Sequence, residues 1–168
     1  MKKVALLFLS SVLLLSCGDK KKETTPTIEE VKDKYVVIID AIYEKDDSIA
    51  VVYKKDNYFK YDTPVSLKIK GAPTMQRLTI EIPEGEAVEN LSIVASTNKN
   101  QEYVTIKNIS VTNGNDKVDG DNYKHIKYFL VDNSFSWDLK NSRYNLVHTN
   151  KYPPGIVGNE ILESLLMK

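Results

Sequence analysis

From residue 35 onward, the chain consists of short segments in which apolar and polar residues alternate, and this period of two constrains the fold most. Leu67 and Ile69 alternate with polar neighbours, and Leu78 and Ile80 repeat the pattern in the next segment. Such alternation predicts β-strands with one buried face. Glycine and proline residues, as in residues 71–73, separate the segments and indicate turns. The pattern therefore predicts a mainly β structure.

Three segments carry more specific information. Residues 35–43 are apolar on both faces, which predicts a strand covered on two sides, and residues 49–53 are predicted to be its hairpin partner. Within residues 103–112, the apolar positions change parity at Asn108, which predicts a β-bulge. Asp40 interrupts the first apolar strand. We interpret it as a hydrogen-bonded structural carboxylate, and a functional carboxylate is the alternative.

One helix is predicted, at the C-terminal end of the chain. Ile161, Leu162, Leu165 and Leu166 fall on one face of this helix, and Asn159 is a suitable N-cap. A helix this short must dock on the rest of the domain to persist. The many short strands with regular turn signals predict a single antiparallel β-sandwich over residues 34–168, jelly-roll-like, with this short C-terminal helix.

The only cysteine, Cys17, stands directly after a basic start and a short apolar segment. Residues 4–15 are apolar except for two serines, which is typical of a secretory signal peptide and too short to span a bilayer. A small residue followed by cysteine at this point resembles the lipobox of bacterial lipoproteins. The resemblance implies a signal peptide over residues 1–16 and a lipid on the Cys17 thiol. An ordinary signal peptide with a chance cysteine is the alternative.

The residues that follow, 17–33, are rich in Lys, Glu and Thr and predict a flexible tether. The full chain has 23 basic and 23 acidic residues, and cleavage before Cys17 would remove two lysines. This balance gives no support for a nucleic-acid partner, which calls for a strongly basic face. The expected partner is the membrane, through the lipid on Cys17. The expected location is the cell envelope, at the outer membrane, with the periplasmic and the surface side both open.

Four short stretches of the chain, residues 65–71, 82–85, 96–101 and 152–155, carry a looser resemblance. On these stretches, residues from about 35 to the end resemble an uncharacterised β-sandwich domain of Bacteroidota lipoproteins and envelope proteins. The resemblance implies the sandwich fold and the envelope setting. It implies no particular activity or site.

Aromatic side chains beside Asp, Asn or Arg are the candidates for a binding surface, because sugar rings stack on flat aromatic faces. Trp137 shares its parity with Phe135 and Leu139, so we expect it in the core, with a ligand platform as the alternative. Two other groups are expected at the surface, one at the 56–62 segment and one in the long irregular stretch 140–158. The candidate ligand-binding residues are Tyr58, Tyr61, Trp137, Tyr144 and Tyr152, with His148 beside the last two. A structural role as rim tyrosines is the alternative for each group.

No motif indicates catalysis. Residues 113–122 are rich in Asp and Asn, but their spacing does not match a calcium loop, and we interpret them as tight turns. Two distant histidines, His125 and His148, do not make a zinc site. The sequence thus predicts no catalytic residue, no metal and no cofactor. We expect a non-catalytic binding module, for glycan, and the alternative is a structural or assembly protein that contacts another envelope protein.

Overall fold

The structure is a computed structural model that describes residues 34–168. The predicted signal peptide, the lipidated Cys17 and the tether over residues 17–33 lie outside the described residues. Twelve strands, one 3-10 helix and one α-helix follow Lys34. They are β1 (Tyr35–Ile42), β2 (Asp47–Lys55), β3 (Tyr58–Phe59), β4 (Val65–Ile69), β5 (Gln76–Glu81), β6 (Asn90–Val94), β7 (Tyr103–Asn113), β8 (Asp116–Val118), the 3-10 helix (Lys124–Lys127), β9 (Phe129–Val131), β10 (Phe135–Asp138), β11 (Arg143–Leu146), β12 (Gly155–Gly158) and α1 (Glu160–Leu166).

The strands form two antiparallel sheets of six strands each. In sheet I the order is β10-β11-β7-β1-β5, with β8 also paired to β7, and in sheet II it is β3-β2-β6-β12-β9, with β4 also paired to β2. The chain passes from one sheet to the other between β1 and β2 and at each step from β4 to β7, so it wraps around the core as Greek-key and jelly-roll chains do. The predicted antiparallel β-sandwich with a short C-terminal helix is confirmed.

Alternating apolar residues from both sheets fill the space between them. Val37 and Ile39 of β1, Ile109 of β7 and Ile93 of β6 are almost completely inaccessible to solvent and belong to one continuous cluster. Burial of such apolar surface stabilises the fold by roughly 25 cal/mol per Å². Among the described residues there is no cysteine to form a disulfide, so this cluster is the main source of stability.

Two expectations for β1 are wrong. Its inward residues are buried, but the alternate ones are only half-buried, so the strand is fully covered on one face and partly on the other. Residues 49–53 belong to β2, which pairs with β4 and β6 in sheet II, whereas β1 pairs with β5 and β7 in sheet I. The turn after β1 therefore joins the two sheets. A hairpin and such an inter-sheet connection have the same local sequence pattern, because both need only two strands and a polar turn.

The predicted bulge in β7 is confirmed. Asp40 lies opposite Asn108 and Ala41 lies opposite Ile106, so Lys107 is the extra residue. The bulge explains why Ile106 and Ile109 can both face the core despite their opposite parity. It also places Asn108 on the outer face beside Asp40, whose carboxylate accepts a hydrogen bond from the Asn108 side chain at 3.0 Å.

The C-terminal helix α1 is capped as predicted, since the Asn159 side chain accepts hydrogen bonds from the amides of Ile161 and Leu162 at 3.0 and 3.2 Å. Leu162 is fully buried, but Ile161 is 54% exposed, so the predicted apolar face is correct except at its first residue. Glu163 joins the helix to the sandwich through Lys54, at 2.7 Å. In the described part of the chain, neither helix has the length and hydropathy that a membrane span requires.

The stretch 140–158, predicted to be irregular, contains strands β11 and β12. The first has no alternation of apolar and polar residues, and the second is a pair of apolar residues between glycines. Both become strands through their partners. Strand β11 pairs with β7 and β10, and β12 pairs with β6 and β9. Their sequences alone lack the pattern that predicts a strand.

Candidate ligand-binding site

The edge of sheet I carries a row of aromatic rings. Trp137 on β10 lies directly opposite Tyr144 on β11, and Tyr144 lies directly opposite the buried Val104 on β7. The three side chains therefore share the face of the sheet that points toward the core. The Trp137 and Tyr144 ring centroids are 4.9 Å apart with an interplanar angle of 67°, and Tyr144 also meets Phe135 edge-on at 5.6 Å. Such edge-to-face contacts are favourable and hold the rings in fixed orientations.

Trp137 is 46% exposed, so the expectation that it lies in the core is wrong. Parity identified its face correctly, because Phe135 on the same face is buried. However, β10 is the edge strand of sheet I, and exposure rises along it until Leu139 is almost fully exposed. Parity determines which face of the sheet a side chain points to, whereas its burial depends on whether other residues pack over it. At Trp137 the cover is incomplete.

A third ring, that of Tyr123, completes the row and was not among the predicted residues. It meets Trp137 edge-on, with centroids 6.4 Å apart and an interplanar angle of 82°. Asn122 and Tyr123 both have positive φ, at 51° and 65°, a conformation that is uncommon for residues other than glycine. The Tyr123 amide donates to the carbonyl of the bulged residue Lys107 at 2.9 Å. Nothing in the local sequence places Tyr123 beside Trp137.

We define the aromatic site as Tyr123, Trp137 and Tyr144. Trp137 offers its exposed surface, and the two tyrosines hold it in place. Tyr144 is partly buried against the core, and this burial raises the pKa of its hydroxyl, so it stays protonated and is a neutral donor. An apolar ring with neutral hydroxyl groups nearby can stack on a sugar ring and hydrogen-bond to its hydroxyls.

Charged groups lie on the other face of the same edge. The Arg143 guanidinium lies over the Tyr103 ring at 3.4 Å, and its Nε is 3.4 Å from the Asp138 carboxylate. The Tyr103 hydroxyl donates to Glu44 at 2.5 Å. The Asn141 side chain donates to Asp138 and holds the pKa of that carboxyl below its ordinary value. These groups are engaged with one another, so they stiffen β10 and β11 beneath the aromatic site.

Tyr58 and Tyr61 lie at the surface, as expected for that group. They are 74% and 63% exposed, Tyr58 as the first residue of β3 and Tyr61 in the turn that follows β3. Tyr61 contacts the Phe59 ring at 5.7 Å, but within residues 34–168 no aromatic ring or cation packs against Tyr58. These side chains are accessible but are less firmly held than Trp137. Sheet topology places them on sheet II, away from the β10 edge.

Of the expected group of Tyr144, His148 and Tyr152, only the last two contact each other. Tyr144 packs with Trp137, whereas His148 packs against Tyr152 at 5.8 Å. The Tyr152 hydroxyl donates to the carbonyl of Thr97 at 2.6 Å, and the Lys99 ammonium lies over its ring at 4.8 Å. Tyr152 is half-exposed, but its hydroxyl and one face are already occupied. It fastens the loop before β12 to the loop after β6.

The titratable groups give no metal centre in the part of the chain that the structure describes. No three His, Cys, Asp or Glu side chains among residues 34–168 come close enough to hold an ion. In the Asp- and Asn-rich stretch 113–122, Asp119 is paired with Lys117 and Lys124 at 2.9 and 2.7 Å. These lysines hold the pKa of the Asp119 carboxyl far below its ordinary value. The stretch forms the β7–β8 turn and the approach to the 3-10 helix.

Asp40 is held by structural partners. Arg77 binds its carboxylate through two nitrogens at 2.8 and 3.0 Å, and Asn108 donates a third hydrogen bond. The Arg77 hydrogen bond is the main cause that lowers the pKa of this carboxyl. The arrangement supports the structural interpretation of Asp40.

Comparison of the chain with protein-family models, with curated proteins and with solved structures found no match.

His125, behind Tyr123, gives a prediction for the pH dependence of stability. It is 4% exposed, its Nδ1 has no hydrogen-bond partner among the described residues, and its ring lies 6.4 Å from that of Tyr123. Burial lowers the pKa of His125 to about 4, the Gly120 carbonyl opposing this only in part. The unfolded chain binds the proton near the ordinary value of about 6.5. The free energy of unfolding is therefore expected to fall by up to about 3 kcal/mol as the pH drops from 6.5 to 4.

Urea denaturation at several pH values measures this dependence, and His125→Phe provides the comparison. The variant should show a flatter profile between pH 6.5 and 4. Asp40 and Glu163, whose pKa values Arg77 and Lys54 lower, lose their contribution only below about pH 4.5 and do so in both proteins, so the difference between the two profiles reports on His125. An equally steep profile in the variant would rule out His125 as the cause.

Proposed function

We propose that this chain is a lipid-anchored protein of the bacterial envelope whose β-sandwich is a non-catalytic module that binds glycan at the aromatic site. The observation that carries the proposal is the exposure of Trp137. A tryptophan on an apolar strand face is normally buried, and here it is 46% exposed and held edge-on by Tyr144 and Tyr123. Flat, immobilised aromatic surface of this kind loses little conformational entropy when a sugar ring stacks on it.

Two features of the surroundings support a binding role over a structural one. The rings come from strands β10 and β11 of the sandwich and from the segment before the 3-10 helix, so they are mounted on a rigid frame. Two ion pairs close to the rings, Arg143 with Asp138 and Lys124 with Asp119, lower the net charge beside the aromatic site. The ligand class that fits a neutral aromatic surface with tyrosine hydroxyls is an uncharged glycan.

The test is a glycan-array screen of the purified full chain in detergent, followed by titration with the best ligand. Trp137→Ala is expected to weaken binding about thirtyfold, the loss typical of a central aromatic contact. Leu139→Ala is the matched control, because Leu139 is an 82% exposed apolar residue that directly follows β10 and lies outside the aromatic site. It should bind as the unmodified chain does.

Two results would overturn the assignment. A blank array would remove the glycan proposal. Loss of binding in Tyr58→Ala or Tyr61→Ala, with Trp137→Ala unaffected, would move the site to β3 and the turn that follows it.

Membrane anchoring rests on the sequence around Cys17, which lies outside the described residues. Cys17→Ser is expected to abolish lipid attachment, because the thiol is the acceptor in the lipobox resemblance, and to leave the precursor uncleaved. Metabolic labelling with an alkyne fatty acid, read on a gel beside the size of the product, measures both. Normal labelling and processing of the variant would refute the lipoprotein proposal. The resemblance to the Bacteroidota sandwich domain stays a prediction.

The second candidate is a structural or assembly protein, and one observation favours it. A groove of about 620 Å³ runs beside α1, and its walls include Val88, Leu165 and the exposed Met167. Another envelope protein that docks there should be lost from a pulldown when Met167 is replaced by Asp. A blank glycan array together with such a partner would favour this candidate.

A further inference from the structure

A chain of hydrogen bonds crosses sheet I on its outer face and ends at the segment that carries Tyr123. It begins at Asp40, which Arg77 binds through two nitrogens. The Asn108 amide donates to Asp40 at 3.0 Å, and the Ser110 hydroxyl donates to the Asn108 side-chain oxygen at 2.6 Å. The Gly120 backbone N–H donates to Ser110 Oγ at 2.9 Å. These hydrogen bonds thus link β5, β1 and β7 to the segment of residues 119–128.

We call this series of hydrogen bonds, from Asp40 through Asn108 and Ser110 to Gly120, the relay. Each hydrogen bond in it fixes the direction of the next. The Asp40 carboxylate can only accept, so it turns the Asn108 NH₂ group toward itself and the Asn108 oxygen toward Ser110. That oxygen accepts the hydrogen bond from the Ser110 hydroxyl. A lone pair of the Ser110 oxygen is then available to accept the hydrogen bond from the Gly120 N–H. Asn108 and Ser110 are both almost completely buried on a sheet face that is elsewhere half-exposed. Buried polar networks that are fully satisfied hold a single arrangement.

The 119–128 segment lies against β7 at two points. Gly120 lies so close to the strand that a Cβ there would be 1.9 Å from the Ile109 carbonyl oxygen. Three residues further on, Tyr123 donates its N–H to Lys107 and places its ring against Trp137. Gly120 and Tyr123 are therefore the two fixed points of the segment on β7. Ser110 supplies the hydrogen bond at the first.

We propose that Asn108 and Ser110 are positioning residues for the aromatic site, holding the 119–128 segment where Tyr123 braces Trp137. This inference rests on the proposed function for its biological meaning, since it concerns the geometry of the same site. The side-chain hydrogen bonds of the two residues go to Asp40, to each other and to Gly120, so both act through the backbone of Gly120. Loss of the relay releases Tyr123 and leaves Trp137 braced by Tyr144 alone.

Trp137 is the only tryptophan of the chain, so its fluorescence reports on the site without any ligand. Acrylamide quenching of the full chain is compared in the unmodified protein, Ser110→Ala and Tyr123→Ala. Ser92→Ala is the matched control, because Ser92 is also a buried serine in a strand but lies on sheet II, outside the relay. Ser110→Ala is expected to raise the quenching constant toward the value for Tyr123→Ala, with a red-shifted emission. Ser92→Ala should leave both unchanged.

Asn108→Ala breaks the relay one bond earlier and is expected to change the quenching in the same direction. Circular dichroism establishes that each variant keeps the sandwich. Exchange of the Gly120 amide should be faster in both relay variants than in Ser92→Ala. Unchanged quenching in Ser110→Ala and Asn108→Ala would overturn the inference. If the two variants then only unfold more easily, Asn108 and Ser110 stabilise the fold and do not position Tyr123.

Ligand titration separates this inference from the proposed function. If the glycan site is correct, Ser110→Ala should weaken binding about fivefold, the loss of one hydrogen bond expressed at the site. If the unmodified chain binds no glycan, the proposed function fails, while the fluorescence of the free protein still decides whether Asn108 and Ser110 position Tyr123.

Discussion

Leu162→Ala is expected to lower the free energy of unfolding by about 3 kcal/mol. Leu162 is fully buried in the main apolar cluster, and it packs so tightly on β12 that a Cβ at Gly158 would be 2.4 Å from its Cδ2. Alanine would leave a cavity that the capped helix and the two sheets cannot close. Urea denaturation of the full chain at neutral pH measures the change as a shift in midpoint.

The neighbouring residue supplies the control for Leu162. Ile161 lies on the same helix turn and is 54% exposed, so Ile161→Ala should change stability by less than about 0.5 kcal/mol. The pair separates the effect of core packing from that of helix propensity. Equal effects of the two substitutions would mean that α1 is not docked through Leu162.

Gly120→Ala is expected to destabilise the protein by about 3 kcal/mol and also to change the Trp137 emission. The added Cβ would overlap the Ile109 carbonyl oxygen at 1.9 Å, and backbone atoms cannot move aside as a flexible side chain can. The 119–128 segment would have to lift from β7, which would break the hydrogen bond from Gly120 to Ser110. Chemical denaturation and fluorescence on the same sample measure both effects.

Gly114→Ala is the comparison for Gly120. Gly114 has a φ of +56°, and a Cβ there meets no atom within 4 Å, so the expected cost of about 1 kcal/mol comes from backbone strain alone. Trp137 emission should not change in this variant. Similar losses at the two glycines, or an unchanged emission in Gly120→Ala, would contradict the close approach of the segment to β7.

Local features of the fold were predictable because they depend on neighbouring residues. The alternation in β4 and β5, the bulge beside Asn108 and the Asn159 cap each follow from backbone geometry over a few residues. Strand pairing was not predictable in the same way. The turn after β1 satisfies a hairpin pattern, yet β1 and β2 enter different sheets, because the partner of each strand lies elsewhere in the chain.

The candidate site shows the same division. The sequence identified Trp137 and Tyr144 as aromatic candidates but expected Trp137 in the core and grouped Tyr144 with Tyr152. Tyr123 was missed, because its place beside Trp137 depends on a left-handed backbone at Asn122 and Tyr123 and on the contact of their segment with β7. None of these conditions is visible in the residues on either side of Tyr123.

The sequence by itself determined the strand-rich sandwich, the direction in which Trp137 points and the positions of the bulge and of the helix cap. It also carries the prediction for Cys17, which no described residue tests. Only the tertiary structure decided that Trp137 is exposed and that Tyr123 braces it. The physical reason is that side-chain direction follows from the pleat of a single strand, whereas exposure depends on how far the opposite sheet and the 119–128 segment extend over that strand.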